Sequence, residues 1–254
     1  MKIVTFNLRS NLQKDEKNNF RHRIGMIYEK IKEEMPEIMA FQEVGVMHLD
    51  MLTKLLPEYT FVGNSRKPGI PGEGLFTAFR KDAFEMFSME IFWLGPDPYD
   101  PRTRFEGQSV HPRMCVRTLL RHTESGKLFR IFNVHTDHAS PEVAVKGFEC
   151  VLEQALQCSK QMPAGTVILG DLNAEPHEGI PDAAKAFTAM PIYEATENIS
   201  VTFHDYGRRQ PPAKIDYIFI SEELKDSVSS VTVWDDAQYG IYLSDHYPVA
   251  LELA

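Results

Sequence analysis

Polar side chains stand where apolar, strand-like segments of this 254-residue sequence end. A buried strand ordinarily gives way to Gly, Pro, Ser or scattered surface charge, so acids, amides and imidazoles flush against apolar segments indicate one shared polar site. The residues concerned are Asn7 after I-V-T-F, Glu43 after I-M-A-F-Q, His135 after I-F-N-V, Asp171 after V-I-L-G, and Asp245 with His246 before Y-P-V-A-L. Such a set can hold a hard cation and move protons.

Two of these residues suit magnesium. Glu43 supplies a carboxylate oxygen and Asn7 a neutral amide oxygen, and the set contains no soft ligand. Mg²⁺ keeps several waters and takes one or two protein carboxylates, so the set predicts a Mg²⁺ cofactor, with Mn²⁺ as a substitute. Bound there, the ion would polarise a phosphoryl oxygen and stabilise the leaving oxygen of a phosphoester.

The remaining residues suit acid–base chemistry at the same phosphate. His246 can meet Asp216 of K-I-D-Y-I-F across neighbouring strands, which would fix the imidazole tautomer and favour its charged form. Asp171 and Asn173 lie on one tight turn, G-D-L-N, so one can face a water and the other a phosphate. His135 adds a further hydrogen-bond donor.

Each residue also has an ordinary structural explanation. Asp171 and Asn173 alone would be turn formers. His135 alone would be a hydrogen-bonded core histidine, and Asp245 with His246 would cap a strand. Together, several carboxylates at one buried edge would cost on the order of several kcal/mol per uncompensated charge without a cation. The whole set therefore predicts a functional site.

The elements that must position these residues alternate between strands and helices. Apolar residues at helical spacing from Ile24 to Met35, stopped by Pro36, predict a helix after the first strand. M-C-V-R-T-L-L-R-H and L-F-R-I-F-N-V-H predict a hairpin around T-E-S-G-K, so the sheet should be mixed. Further helices are predicted over residues 49–56, after Ser140–Pro141 and over 182–190, and late strands over 214–221, 228–234 and 247–253.

Length and composition favour one globular domain over residues 1–254. The chain is 43% hydrophobic and 25% charged, without a Gly/Ser linker, low-complexity tract or repeat, and a split would scatter the polar strand ends. The net charge of −9 comes from 27 basic and 36 acidic residues. It disfavours duplex DNA as the preferred ligand, because sequence-independent DNA binding needs a broad basic face.

Cysteine usage and hydropathy bear on the compartment. Cys115, Cys150 and Cys158 are odd in number and unpatterned, which predicts reduced thiols rather than a disulfide framework or a zinc cluster. The sequence shows no signal-peptide pattern and no run of membrane-spanning length. We therefore expect a cytoplasmic protein without membrane association, and the sequence gives no sign of an obligate protein partner.

Residues 95–113 lack any periodicity and contain four prolines. A loop of this length in a compact domain is usually functional or disordered, and we expect it to overhang the site. Its candidate ligand-binding side chains are Arg102, Arg104, Phe105 and Arg113. Arg66 and Lys67 lie in a separate Gly/Pro loop and are predicted to be solvated.

Six segments resemble the endonuclease/exonuclease/phosphatase family, which has the DNase I-like fold. T-F-N-L-R, F-Q-E-V, N-V-H-T-D-H, G-D-L-N-A-E-P, K-I-D-Y-I-F and S-D-H-Y-P-V occur in that family's order and span nearly the whole chain. The resemblance implies an α/β fold, a four-layer α/β/β/α sandwich of two mixed β-sheets flanked by helices. It also implies a magnesium-dependent phosphoesterase.

The resemblance assigns roles at the metal and the attacking water. It implies that Asn7 and Glu43 lie near the metal, with Asp245 as a second-site or water-mediated contact. Asp171 would orient or deprotonate the attacking water.

The resemblance also assigns roles around the scissile phosphate. Asn173 and His135 would bind the phosphate, while His246, held by Asp216, would stabilise the transition state or serve as the base. Whether Asp171 or His246 is the base stays open.

Three further residues are candidate substrate contacts. Arg113 stands where members of the family often carry a phosphate-contacting arginine, although a surface arginine on a strand edge explains it equally well. His138 and His204 are second-rank candidates. His135 stands where the abasic-site nucleases carry a tyrosine, which argues against DNA repair.

The sequence leaves three functional hypotheses. The first is a Mg²⁺-dependent phosphodiesterase that acts on a small or single-stranded substrate by in-line attack of an activated water. The second is a 3′-to-5′ exoribonuclease of deadenylase type, in which Tyr99 and Phe105 would stack a terminal base. The third, an inactive binding module, is disfavoured because Glu43, Asp171 and His246 are all present.

Overall fold

Fourteen strands and five α-helices make up the regular structure of this computed structural model, which describes residues 1–10, 13–67, 69–70 and 72–254. The helices are α1 (Phe20–Glu34), α2 (Val46–Leu55), α3 (Pro141–Gln161), α4 (Ile180–Ala186) and α5 (Glu222–Lys225). The strands are β1 (Lys2–Asn7), β2 (Ile38–Val44), β3 (Tyr59–Ser65), β4 (Gly74–Arg80), β5 (Phe84–Trp93), β6 (Met114–His122), β7 (Leu128–His135), β8 (Gly165–Asp171), β9 (Ile192–Glu194), β10 (Asp216–Ser221), β11 (Val228–Val233), β12 (Ala237–Gln238), β13 (Ile241–Tyr242) and β14 (Val249–Leu253). Short 3₁₀ helices cover Gln13–Asn18, Pro176–Glu178 and Asp205–Gly207.

The longer strands form two six-stranded sheets. Sheet one has the order β11-β14-β1-β2-β4-β3, and sheet two has the order β5-β6-β7-β8-β10-β9. The β1–β2 and β7–β8 pairs are parallel, whereas their neighbours in both sheets pair antiparallel. The predicted mixed pairing is therefore confirmed, and the predicted hairpin is β6–β7.

The two sheets face each other and helices cover their outer faces. Alternate strand residues point inward, so that Ile3, Ile38, Ile131 and Leu169 share one core between the sheets. The intervening residues of sheet one pack with α1 and α2, and those of sheet two pack with α3 and α4. The predicted four-layer α/β/β/α sandwich is confirmed.

The inward positions become polar toward one end of the sandwich. On β1 they run Ile3, Thr5, Asn7, and on β8 they run from Val167 to Asp171. Strands β1, β2, β7 and β8 end there, and β10 begins there, so the polar ends meet at one edge. The inward polar residues are Asn7, Gln42, Asn133, His135, Asp171 and Asp216.

Asn133 joins the two sheets just below this edge. Its amide nitrogen donates to the carbonyls of Phe41 and Phe76 of sheet one, both at 3.1 Å, and its oxygen accepts from Gln42 at 2.8 Å. Asn133 and Gln42 are both fully buried. This connection satisfies the polar groups where the apolar core gives way to the site.

Several predicted elements need correction. The helix expected over 182–190 is α4, Ile180–Ala186, because Gly179 (φ 111°) precedes it and the N–H of Phe187 closes it on Ala183 and Ala184. The last strand begins at residue 249 rather than 247, because Pro248 cannot donate to the ladder. Strands β3 and β4 were not predicted at all.

Cys115, Cys150 and Cys158 are free, and the first and last of them are buried. Within the described residues, no helix combines the length and apolar character needed to span a bilayer.

We predict that Asn133→Ala lowers the free energy of unfolding by about 2–4 kcal/mol, because it leaves Gln42 and two carbonyls without their partner. Equilibrium urea denaturation measures the change. Asn64→Ala, the same substitution at an exposed strand position, should change stability by less than about 0.5 kcal/mol. Equal effects of the two substitutions would show that the sheets do not depend on this connection.

Candidate active site

A cavity of about 410 Å³ opens at the polar end of the sandwich. It brings together most of the residues that the sequence analysis selected. Glu43, Arg113, His135, His138, Asp171, Asn173, Asp245 and His246 all line it. Asn7 and Asp216 lie behind this lining and hydrogen-bond directly to it.

Glu43 reaches the cavity through a β-bulge. Strict alternation along β2 would place Glu43 on the helix-covered face, with Met39 and Phe41. The pairing with β4 shifts register between Phe41 and Val44, and Glu43 itself adopts φ 57°. The bulge therefore turns the Glu43 carboxylate into the cavity, which is a common use of bulges beside active sites.

Asp216 and His246 form a buried ion pair. His246 Nδ1 lies 2.8 Å from Asp216 Oδ2, and both side chains are almost inaccessible to solvent. Burial opposes the charged imidazolium, but the Asp216 charge and hydrogen bond outweigh it and raise the pKa of His246 to about 10. His246 is therefore protonated at neutral pH, and its Nε2 lies 3.8 Å from Asp171 Oδ2.

Asp171 is the carboxylate that is hardest to ionise. Burial, together with the charges of Asp216 and Glu43, raises its pKa to about 7, against the opposing effect of His246. Asp171 accepts hydrogen bonds from the Asn7 amide at 2.9 Å and from the Asn173 N–H at 3.0 Å. A carboxyl group with a pKa near neutrality can exchange protons under working conditions.

A glycine allows β7 and β8 to deliver His135 and Asp171 side by side. Gly170 has φ 149°, and a Cβ atom there would lie 1.8 Å from the Val134 carbonyl oxygen. His135 and Asp171 are register partners, with Nε2 and Oδ2 3.5 Å apart. Burial and the charge of Arg113 hold the pKa of His135 well below its usual range, so this imidazole is neutral.

Hard oxygen donors gather around the floor of the cavity. Glu43 accepts from the Ser10 N–H at 2.7 Å and the Ser10 hydroxyl at 2.8 Å. Burial opposes ionisation of Glu43, whereas the charge of His135, when that imidazole is protonated, and the hydrogen bonds from Ser10 lower the pKa of this carboxyl. Burial raises the pKa of Asp245, and the Glu43 charge adds to the increase.

This donor set fits a divalent cation. Burial raises the pKa values of Asp171 and Asp245, the charge of Glu43 adds to both increases, and a bound cation would offset the repulsion. Asn7 donates from its amide nitrogen to Glu43 at 3.3 Å and accepts the Arg9 N–H at 2.9 Å, so it links the same donors. Asp171, Asp216 and His246 are also close enough to contact one ion. Since His246 already donates to Asp216, these two are better explained as an ion pair than as metal ligands.

One side of the cavity is basic. Arg113 is buried and donates from Nε to Asp137 at 3.1 Å, while its Nη2 lies 2.7 Å from Nδ1 of the exposed His138. Arg66 also lines the cavity, and only 17% of its side chain is exposed because it pairs with Glu73. The prediction that Arg66 is solvated is therefore wrong, whereas Lys67 is exposed as predicted.

Other predicted residues lie outside the cavity. His204 is buried against Tyr247, with ring centroids 4.1 Å apart, and burial lowers its pKa to about 4. The predicted loop, residues 95–113, contains no helix or strand, and His111 and Arg113 at its end reach the cavity. Tyr99 and Phe105 do not line it, and Phe105 instead lies against Lys146.

Sequence reasoning missed several contributors. Arg9, Ser10, Glu73 and His111 line the cavity without any strand-end signal, although Arg9 ends the T-F-N-L-R segment and Ser10 follows it. Arg9 contacts Asp245, with Nε and Oδ2 3.4 Å apart, and carries a positive φ of 58°.

Arg23 was also missed, because it lies in the helical pattern of α1. It is fully buried and donates to three backbone carbonyls: Asn18 at 2.6 Å, Leu8 at 2.8 Å and Leu243. Leu8 adjoins Asn7, and Leu243 lies two residues before Asp245. Arg23 therefore ties the first and last segments of the site together.

The raised pKa of Asp171 has a consequence for stability. Because this pKa of about 7 exceeds the ordinary value of 3.8, ionisation of Asp171 destabilises the fold progressively as pH rises from about 4 to about 7. We predict that Asp171→Asn raises the free energy of unfolding of the metal-free protein at pH 8 by on the order of 2 kcal/mol.

Denaturant unfolding in EDTA at pH 5 and pH 8 tests this prediction. The gain should be smaller at pH 5, where Asp171 is already mostly protonated, and Asp182→Asn at an exposed aspartate should show no such trend. A destabilised Asp171→Asn protein at pH 8 would contradict the assignment of Asp171 as the strained carboxylate.

Comparison with known proteins places this geometry in a family. The profile of the Endonuclease/Exonuclease/phosphatase family matches residues 4–246. No curated protein gives a significant match. Among solved structures, the endonuclease/exonuclease/phosphatase of Bacteroides vulgatus is similar at 25% identity and a TM-score of 0.88, covering 100% of this chain and 98% of that one.

Two further structures share the fold at lower identity. The mannosyl-6-phosphatase of Bacteroides thetaiotaomicron has 23% identity and a TM-score of 0.87, covering 100% of this chain and 99% of that one. The human Nocturnin catalytic domain with bound sulfate has 18% identity and a TM-score of 0.74, covering 100% and 94%. The family match spans the strand-end residues from Asn7 to His246, and this chain therefore belongs to the endonuclease/exonuclease/phosphatase family.

Proposed function

We propose that this protein is a Mg²⁺-dependent phosphodiesterase that cleaves a small or single-stranded substrate by in-line attack of water. Membership of a family of phosphoester hydrolases supports the reaction class. The observation that carries the proposal is the meeting of a protonated His246 and a titratable Asp171 at one cavity, with Nε2 and Oδ2 3.8 Å apart. A proton donor and a proton acceptor in one cleft are what phosphoester hydrolysis needs.

Glu43, Asn7 and Asp245 are the residues that would hold the metal. Glu43 is the fixed member, because the Ser10 N–H at 2.7 Å and the Ser10 hydroxyl at 2.8 Å orient its carboxylate. When bound, Mg²⁺ supplies charge stabilisation at the phosphoryl and leaving oxygens. Mn²⁺ takes the same oxygen ligands and is proposed as a substitute.

Asp171 is the residue that would accept the proton of the attacking water. With a pKa of about 7 it is partly ionised at neutral pH, and the Asn7 and Asn173 hydrogen bonds fix its orientation. His246 is unsuited to that role because the Asp216 carboxylate keeps it protonated. Of the two bases that the sequence left open, the site favours Asp171.

His246 would instead act on charge that develops on the phosphoryl group. Its Nε2–H is free to donate while Nδ1 is held by Asp216, which stabilises the imidazolium as the phosphoryl oxygens gain charge. Neutral His135 and the Asn173 side chain border the same cavity and would orient the phosphate. Their hydrogen bonds position the phosphorus for in-line displacement.

The substrate is proposed to be small or single-stranded because the cavity is confined and the chain carries a net charge of −9. The exoribonuclease alternative gains no specific support, since Tyr99 and Phe105 lie outside the cavity. An inactive binding module is disfavoured because Glu43, Asp171 and His246 converge with perturbed pKa values.

The compartment and the partners of this protein are also proposals. We infer a cytoplasmic protein that does not associate with a membrane, needs no obligate protein partner and does not prefer duplex DNA. Three free thiols and the negative net charge support this proposal.

We predict that Glu43→Gln and His246→Gln each lower kcat by about two to four powers of ten while the protein stays folded. Glu43→Gln should also weaken Mn²⁺ binding measured by calorimetry, because it removes a charged ligand. Glu33→Gln and His22→Gln, at exposed positions of α1, are the matched controls. A near-normal rate in either site variant removes that residue from the proposed chemistry.

A substrate panel tests the proposed bond. With Mg²⁺ or Mn²⁺, we expect faster hydrolysis of bis(p-nitrophenyl) phosphate than of p-nitrophenyl phosphate, and loss of both activities in EDTA. A faster monoester reaction would replace the diesterase proposal, and preferential degradation of poly(A) would favour the exoribonuclease. Preference for duplex DNA would contradict the confined-substrate argument.

A further inference from the structure

Two arginines beside the cavity take no part in the chemistry proposed above. Arg66 comes from the turn that joins β3 to β4, and Arg113 comes from the end of the 95–113 loop. Both line the cavity, and together with His135 they line a small cleft that adjoins it. We call Arg66 and Arg113 the arginine pair.

Arg113 is held rigidly by one edge of its guanidinium. Its Nε donates to Asp137, which also accepts the Ser109 N–H at 3.1 Å, the Ser109 hydroxyl at 2.5 Å and the Ala139 N–H at 2.9 Å. Burial opposes ionisation of Asp137, but these hydrogen bonds lower its pKa to about 2. Asp137 is thus a permanent, immobilised anchor, and no described residue accepts a hydrogen bond from Arg113 Nη1.

Arg66 has an equivalent anchor. Its backbone N–H donates to the Glu73 carbonyl at 2.9 Å, and its Nη2 donates to the Glu73 carboxylate. The other Glu73 oxygen lies 2.5 Å from the Ser10 hydroxyl oxygen, whose single proton is shared between Glu73 and Glu43. Within the described part of the chain, Nε and Nη1 of Arg66 have no acceptor.

Two partly buried guanidiniums in one cleft repel each other. Burial lowers the pKa of Arg66, and the charge of Arg113 lowers it further, against the effect of Glu73. Salt bridges that only stabilise a fold need not line a cavity, whereas anchored guanidiniums with free N–H groups form a preorganised oxyanion receptor. An anion between them would relieve the repulsion and use the free donors.

We propose that the arginine pair is a second anion subsite, which binds a phosphate of the substrate other than the phosphoester being cleaved. This inference rests on the proposed phosphoester hydrolysis and narrows its substrate class to molecules with two neighbouring phosphates. A short single-stranded oligonucleotide or a small bisphosphorylated metabolite would supply this chemistry. His111 and His138, at the rim of the same cavity, are neighbours of the subsite.

Binding measurements test the subsite without relying on turnover. Calorimetry should show that thymidine 3′,5′-bisphosphate binds at least tenfold more tightly than thymidine 5′-monophosphate, because its second phosphate gains charge-assisted hydrogen bonds from the arginine pair. Arg66→Gln should reduce this advantage to less than about threefold. Equal affinity of the wild-type protein for the two ligands overturns the proposal.

Two variants separate the subsite from general electrostatics. Arg102→Gln makes the same change at an exposed arginine, 87% of whose side chain is accessible, and should keep the full advantage. The double variant Arg66→Gln/Glu73→Gln also removes the Glu73 carboxylate, which has no arginine partner once Arg66 is replaced. It should lose the affinity advantage of the bisphosphate to the same extent as Arg66→Gln alone. Recovery of the advantage in the double variant would mean that the loss came from unpaired Glu73, and would overturn the proposal.

A matched pair of chromogenic substrates extends the test to catalysis. Thymidine 5′-(p-nitrophenyl phosphate) and its 3′-phosphorylated derivative differ only in the second anion. The wild-type kcat/KM should be about tenfold higher for the 3′-phosphorylated compound, and Arg66→Gln should reduce that ratio. A bisphosphorylated sugar and a 5′-phosphorylated dinucleotide, used as competing inhibitors, distinguish the two sources of the second phosphate.

The outcomes separate the two proposals. Failure of wild-type protein to hydrolyse either chromogenic compound refutes the proposed diesterase function, while the calorimetric comparison still decides the subsite. Equal kcat/KM for both compounds, with turnover intact, refutes the subsite alone.

Discussion

Burial of several carboxylates at one end of the sandwich is the constraint around which the site is arranged. Asp171, Asp216 and Asp245 lie within one polar end of the sandwich, and each is compensated differently. Asp216 holds a protonated His246, and Asp245 has Arg9 at 3.4 Å. Asp171 accepts hydrogen bonds only from neutral amides, and the nearest positive charge, His246 Nε2, lies 3.8 Å away, so its charge is compensated less closely. Unequal compensation of similar carboxylates is what gives them different roles.

The geometry of the sheets makes this concentration of charge possible. Period-two alternation sends one face of each strand into the core between the sheets, and the same face supplies the polar residues at the end. The site is therefore a continuation of the hydrophobic core, and the Asn133–Gln42 connection marks the boundary. Rigid strands on both sides fix the distances between these side chains more tightly than loops would.

Much of this arrangement was predictable from sequence because strand ends are recognisable from local patterns. Asn7, His135, Asp171 and His246 follow or precede apolar runs. The structure brings the last three to one cavity and places Asn7 directly behind its lining. Their convergence could be predicted only from the order of the six motifs, because no local pattern tells which strand ends meet.

Other features depend on tertiary contacts and leave no local signal. The bulge that turns Glu43 inward follows from the pairing of β2 with β4, and β4 is only weakly marked in the sequence. Arg66 reads as a loop residue, and only the fold of the β3–β4 turn brings it to the cavity. His204 follows an apolar residue much as the true lining residues do, but Tyr242 and Tyr247 enclose it.

The hydrogen bonds of Arg23 determine when the polar end of the sandwich can assemble during synthesis of the chain. Its guanidinium closes on carbonyls of residues 8, 18 and 243, and β1 pairs with β14 at the far end of the sequence. A nascent chain that has emerged only as far as residue 200 contains Glu43 and Asp171. It lacks His246 and β14, the strand that pairs with β1. The Arg23 contact to Leu243 and the β1–β14 pairing can therefore form only after residues 243–253 have been synthesised, so the first strand end is fixed in place late in translation.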